Sequence, residues 1–176
     1  MLTEESAPGA EFLAEVCQEW EAAAKPAVDA GIRVVNMRFG VVLRGGAGAL
    51  GKMEWLFRLG LGGRLGSGRQ WMSWIGIGDI VAAMRFLLGS PEITGPVNVT
   101  APHPVTNAEF TRGLGRVLHR LTLLPAPAFA LRLELGQMAD EALLASARVI
   151  PQRLMEAGFR FAQPTIEKAL AAALQK

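Results

Sequence analysis

Ile32-Arg33-Val34-Val35-Asn36-Met37-Arg38-Phe39-Gly40-Val41-Val42-Leu43 is the most informative run in this chain. It is rich in β-branched residues and carries only two charges. Such a run reads as a parallel strand buried on both faces rather than a half-exposed one. Gly31 precedes it, and before that Ala10 to Ala30 has helical spacing. Phe12, Leu13, Val16, Cys17 and Trp20 recur every three or four residues on one face. Pro26 is placed to kink the end of this helix and Gly31 to stop it. Helix, glycine, buried strand is the rhythm of an α/β sheet.

Working outward, a glycine-rich turn (Gly45, Gly46, Gly48, Gly51) leads to a short helical stretch at 52–59. Five more glycines follow between Gly60 and Gly68. Gln70 to Ile75 reads as a strand, with Asp79 as the N-cap of a helix over 80–88. Gly95 to Thr100 reads as a second buried strand. Thr106 and Glu109 form a capping-box pattern that opens a helix to about Arg120. Further helices are expected at 127–135, 138–147, 151–157 and 165–175, with Pro151 and Pro164 near the starts of the last two. The front of the chain holds two or three strands and the rear is mostly helical. Two buried strands do not make a stable sheet alone, so other strands are expected beside them.

Composition narrows the function classes. The 18 Lys and Arg against 16 Asp and Glu leave a net charge of +2 with no basic block, which argues against nucleic-acid binding. The apolar fraction of 51% and mean hydropathy of +0.27 are high. They imply either a well-buried interior or a face made for a partner. One cysteine, Cys17, excludes an internal disulfide, and its place on the apolar helix face predicts a core residue. The polar amino terminus is no signal peptide, and the apolar stretch at 121–131 is broken by Pro125 and Pro127. A cytoplasmic protein that does not enter membranes is expected. His103 and His119 lack ligand-spaced partners, so no metal site is expected.

Two glycine motifs invite a nucleotide-binding reading. Gly46-Ala47-Gly48-Ala49-Leu50-Gly51-Lys52 has phosphate-loop spacing after a strand. The next residue is Met53 where the motif needs a hydroxyl for the metal, so phosphate-loop binding is a remote alternative. Gly60-Leu61-Gly62-Gly63-Arg64-Leu65-Gly66 approaches a dinucleotide fingerprint, but it follows a helix and precedes a strand, the reverse of the required context. It reads as a loop near a ligand mouth or a turn-rich connection. Trp71 and Trp74, with Arg69 and Gln70 beside them, are candidates for a substrate-facing strand.

Taken in order, several segments resemble one family. They are Leu2-Thr3-Glu4-Glu5, Phe12 to Cys17, Trp20 to Ala23, Arg38 to Leu43, Phe57 to Gly63, Gly66 to Gln70, Trp74-Ile75 and Pro151 to Leu154. The chain resembles the carboxyl-terminal portion of the atypical epimerase subgroup of extended short-chain dehydrogenases (NAD-dependent epimerase/dehydratase). Residues from about 120 onward resemble the uncharacterised domain that closes that subgroup. The resemblance implies an α/β fold: the carboxyl-terminal part of a Rossmann-type parallel sheet over 1–119, with a mainly helical substrate-side subdomain over 120–176. It implies NAD or NADP as cofactor only when the amino-terminal half is supplied, and none for this chain alone. Gly40, Val41 and Val42 are the positions implied to pass the nicotinamide. Arg69, Gln70 and Trp74 are the substrate-side candidates. The family's catalytic Tyr and Lys would fall at Leu13 and Cys17, so no catalytic residue is assigned. The family usually shows Trp-Ile-His where Trp74-Ile75-Gly76 stands. The implied function is the substrate-side half of an NAD(P)-dependent epimerase or oxidoreductase, not catalytic alone; the alternative is a truncated or non-catalytic interaction module. The expected partner is a complementary amino-terminal half, or a second copy joined through the sheet edge.

Overall fold

The computed structural model describes residues 1–129, 133, 136, 140 and 144–174. The run at 32–43 is two strands in line, β1 (Val35–Phe39) and β2 (Val41–Leu43), with Gly40 as the joint. β1 pairs in parallel with β5 (Gly95–Val99), from Val35 opposite Gly95 to Phe39 opposite Val99. β2 pairs in parallel with β4 (Trp74–Gly76), from Val41 opposite Trp74 to Leu43 opposite Gly76. The chain therefore changes neighbours at Gly40. The Gly40 amide points to Val99 O at 3.5 Å and the Val41 amide donates to Ser73 O at 2.8 Å. A Cβ on Gly40 would lie 2.7 Å from Ser73 O and 2.9 Å from Trp74 N, so only glycine lets these backbones approach so closely.

The parallel pairing matches the sequence reading, but full burial does not. β1 is half-buried throughout and Phe39 at its end is 47% exposed. Among the described strands β1 has one paired neighbour, β5, so its other edge is uncovered. The expected strand at 70–75 is likewise broken, at Ser73. Its first part, β3 (Trp71–Met72), pairs antiparallel with β6 (Val105–Thr106). Sequence reading did not foresee this ladder, because two-residue strands have no periodicity to detect.

The helices are α1 (Phe12–Ala22), α2 (Lys25–Asp29), α3 (Gly48–Arg58), α4 (Ile77–Leu88), α5 (Asn107–Leu118), α6 (Gln152–Glu156) and α7 (Ile166–Leu174). The predicted helix over 10–30 is in fact two, and Pro26 sits in the first turn of the second, where its absent N–H costs nothing. Gly31, at φ 77°, ends it. The capping box is present: Thr106 accepts from the Glu109 amide, and the Glu109 carboxylate accepts from the Thr106 amide at 2.7 Å. Two of the helices expected in the tail, at 127–135 and 138–147, fall partly outside the described residues, and 145–147, which are described, are not helical.

Two apolar clusters hold these elements. Leu43, Leu50, Phe57, Trp74, Phe110, Leu114 and Leu170 join β2, β4, α3, α5 and α7. Ile75, Ile80, Leu87, Val97, Val99 and Leu154 join β4, β5, α4 and α6. The tail helix α7 thus shares a core with the front strands rather than standing apart.

Candidate functional site

In an open parallel sheet, ligands collect where strands end at their carboxyl side. Here that edge carries Phe39, Gly40, Val41 and Val42, and Val42 is 36% exposed. Gly40 and Val41 touch the Ser73–Trp74 backbone, so two of the three positions implied to meet the cofactor lie against a substrate-side candidate. Beside them α1 supplies a carboxylate. Arg38 Nε donates to Glu21 Oε1 at 2.6 Å and its Nη2 to Glu21 Oε2 at 2.7 Å. Arg38 holds the Glu21 carboxyl below the usual glutamate range through these bonds, against a smaller opposing effect of burial. The forked pair ties α1 to β1 near the open strand edge.

The substrate-side candidates are placed differently from one another. Trp74 has no exposed surface, and its indole N–H donates to His103 O at 3.1 Å. Gln70 is buried, its amide donating to Leu65 O at 3.1 Å. Arg69 is exposed on the loop before β3. Trp71 is half-buried under the Arg148 guanidinium, whose carbon lies 4.1 Å from the ring centroid.

Three expectations need correction. Cys17 is exposed, not core, and so are Phe12, Leu13 and Trp20; α1 buries no residue at all. Its apolar face stays largely open to solvent, with Val16 only half-buried. Asp79 is not an N-cap, because the helix starts two residues earlier with Gly76 as cap. Asp79 is instead buried in the first turn and accepts the Ala162 amide at 2.9 Å and the Gln163 amide at 3.0 Å. The phosphate-loop alternative also fails on geometry. Helix α3 begins at Gly48, inside the motif, so the Gly51 amide already bonds Ala47 O and Lys52 lies within the helix. The Gly46 amide faces the Glu54 carboxylate at 3.3 Å, where a phosphate oxygen would have to go. Among the described residues there is no His, Cys, Asp and Glu cluster that could hold a metal, and no helix is long and apolar enough to cross a membrane.

Other residues near this end were not foreseen. Glu4 lies in the polar lead-in yet is buried, accepting from the Asn98 amide at 3.0 Å and the Arg153 amide at 3.3 Å. Arg153 in turn donates to Thr94 O and Pro96 O. Ser73 Oγ accepts from the Val149 amide, and Leu2 and Val149 form a β-bridge. Residues 146–153 thus form a strap between the amino terminus and the strand ends. A Cβ on Gly76 would run into the Gln163 carboxamide, which fills the space beyond β4.

Comparison with known proteins adds to this geometry. The chain is 49% identical to an epimerase family protein of Mycobacterium bovis, over 97% of this chain and 56% of that protein. The chain matches the carboxyl-terminal portion of epimerase family proteins. It is also 43% identical to a chloroplastic epimerase family protein of Arabidopsis thaliana, over 98% of this chain and 49% of that one. Residues 126–173 match a family described as a domain of unknown function, DUF1731. The crystal structure of the human epimerase family protein SDR39U1 with NADPH superposes with a TM-score of 0.92 at 37% identity, over 98% of this chain and 58% of that one. A nucleoside-diphosphate sugar epimerase from Corynebacterium glutamicum gives 0.78 at 39% identity, over 98% of this chain and 33% of that one. The chain spans about half the length of the curated relatives it matches.

Proposed function

We propose that this chain is the substrate-side half of an NAD(P)-dependent epimerase or oxidoreductase, holding a dinucleotide only together with the strands that precede it in its relatives. The carrying observation is the bare edge of β1 beside an α1 helix with no buried residue. A Rossmann sheet binds pyrophosphate at a glycine-rich turn between its first strand and helix. The Gly46–Lys52 run follows β2 and opens α3, but its Gly46 amide already faces the Glu54 carboxylate, and the Gly60–Gly66 run follows a helix instead of a strand. What the chain offers is the far wall: Gly40, Val41 and Val42 at the strand ends for the nicotinamide, with Arg69, Gln70 and Trp74 on the substrate side. Gln70 and Trp74 act here through the backbone they hold in place, whereas Arg69 is free to reach solvent. The human relative crystallised with NADPH supports a dinucleotide for the completed fold.

The test mixes the purified chain with a separately produced amino-terminal half of a close relative and follows NADPH fluorescence. Saturable binding is expected for the mixture and none for either part. Micromolar binding by this chain alone would overturn the reading.

A further inference from the structure

We infer that the substrate handled by this half presents an apolar ring or branched group, and that a cleft beside α3 receives it. The inference rests on the oxidoreductase reading above and names the substrate class for it. The cleft is about 210 Å³ and lies between α3, the glycine loop after it and the segment at 124–126. Met53, Leu56, Phe57, Leu61, Leu65 and Leu124 make most of its wall, and the rest is glycine, proline and alanine. Among the described residues, no lining side chain carries a charge or a strong hydrogen-bonding group.

The glycine loop explains why the cleft exists. The Gly62 backbone lies on the Phe57 ring, and Gly63 lies against the Leu124 carbonyl; a Cβ at either position would collide. A Leu65–Ala126 bridge closes the base, with the Ala126 amide donating to Arg64 O at 2.9 Å and the Gly66 amide to Ala126 O at 2.8 Å. The wall is therefore preformed by backbone bonds rather than by loose side chains. Phe57 also belongs to the cluster of Leu43, at the end of β2, so the cleft is anchored to the strand whose end carries Val42.

Size and chemistry together select the occupant. At about 30 Å³ per water, the volume is worth about seven waters, the bulk of one ring rather than of a nucleotide. A diphosphate or sugar placed here would lose its water partners with nothing in exchange, an unfavourable transfer. Two of the nearby arginines are engaged elsewhere. Arg58 is paired with Glu54 at 2.8 Å, and Arg120 Nε donates to Arg58 O at 3.0 Å.

Fluorine NMR with para-fluoroacetophenone, an apolar ring bearing a reducible carbonyl, tests this on the full chain, with UDP-glucose as the contrasting ligand. Saturable probe binding is expected, weakened by about tenfold in Leu56→Asp and in Leu61→Asp, as loss of a leucine-sized contact predicts. Both side chains are largely exposed, at 41% and 54%, so the folded state tolerates the change, and a thermal melt of each variant verifies it. UDP-glucose is expected not to displace the probe. Absence of probe binding, binding indifferent to both variants, or displacement by UDP-glucose would overturn the inference. Binding lost only on dilution of the chain, with Leu56→Asp dissociating an oligomer, would assign the cleft to a second copy instead and overturn it too. The NADPH measurement above reports on that reading separately, so failure of the cleft assignment is distinguishable from failure of the reading it rests on.

Discussion

The absence of a side chain at Gly40 is a steric requirement, since the Ser73–Trp74 peptide occupies the place where a Cβ would go. Gly40→Ala forces backbone to move and is expected to cost about 1–3 kcal/mol, as overpacking does; the urea unfolding midpoint measures it. The Glu21–Arg38 fork makes a different prediction. Its carboxyl titrates lower in the folded chain than in the unfolded one, because of the Arg38 hydrogen bonds. Stability from this pair is therefore present above the ordinary glutamate value of 4.5 and lost as pH falls through the lowered folded value. Both side chains are partly exposed, so the contribution is about 1 kcal/mol or less. Glu21→Gln should lower the unfolding midpoint near neutrality and converge with the parent once pH has fallen below the lowered folded value, and parallel curves across that range would refute the linkage. At this scale the site was only partly legible. The strand holding Gly40, Val41 and Val42 was legible from its pattern, and a cofactor role for them is what the family resemblance implies. Glu4 and Asp79 could not, because their partners lie 94 and 83 residues away and nothing local marks a carboxylate that will accept distant amides.

Elements followed the sequence where periodicity or capping was strong. Helices α4 and α5 and strand β5 formed close to the expected bounds, since each has a long apolar repeat or a cap written in neighbouring residues. The run at 32–43 was legible as a strand but not as two, because a partner change depends on strands elsewhere. Helix α1 was legible by its stripe, yet burial did not follow; amphipathicity states a demand for a partner and says nothing of whether the same chain provides it. Helix α4 repeats the lesson: Ile80, Ala83 and Leu87 are buried, while Ile77, Val81, Met84 and Leu88 leave a second apolar stripe exposed. The Asp79 clasp operates between elements, tying the start of α4 to the loop before α7. Asp79→Ala leaves two amides without their acceptor and should cost about 2–3 kcal/mol. Limited proteolysis should then cut within 158–165 while the β1–β5 pair persists; unchanged resistance would show the clasp to be idle.

For the molecule as a whole, the bare β1 edge and the exposed stripes of α1 and α4 predict association in isolation. Light scattering of the purified chain should report oligomers, and Phe12→Glu with Trp20→Glu should shift the distribution towards monomer, since both side chains are more than 60% exposed. A monodisperse monomer of the parent chain would contradict the picture of a sheet in want of neighbours. The change of partners between the first two strands has one more consequence, for synthesis on the ribosome. A run of nine residues borrows its ladder bonds from 74–76 on one stretch and from 95–99 on the other. Until residues 95–99 have emerged, this run cannot complete the pairing it has in the folded chain. Loop closure of that span must come first and contact order is correspondingly high, so this polypeptide should fold late, slowly and with a need for chaperoning during its translation.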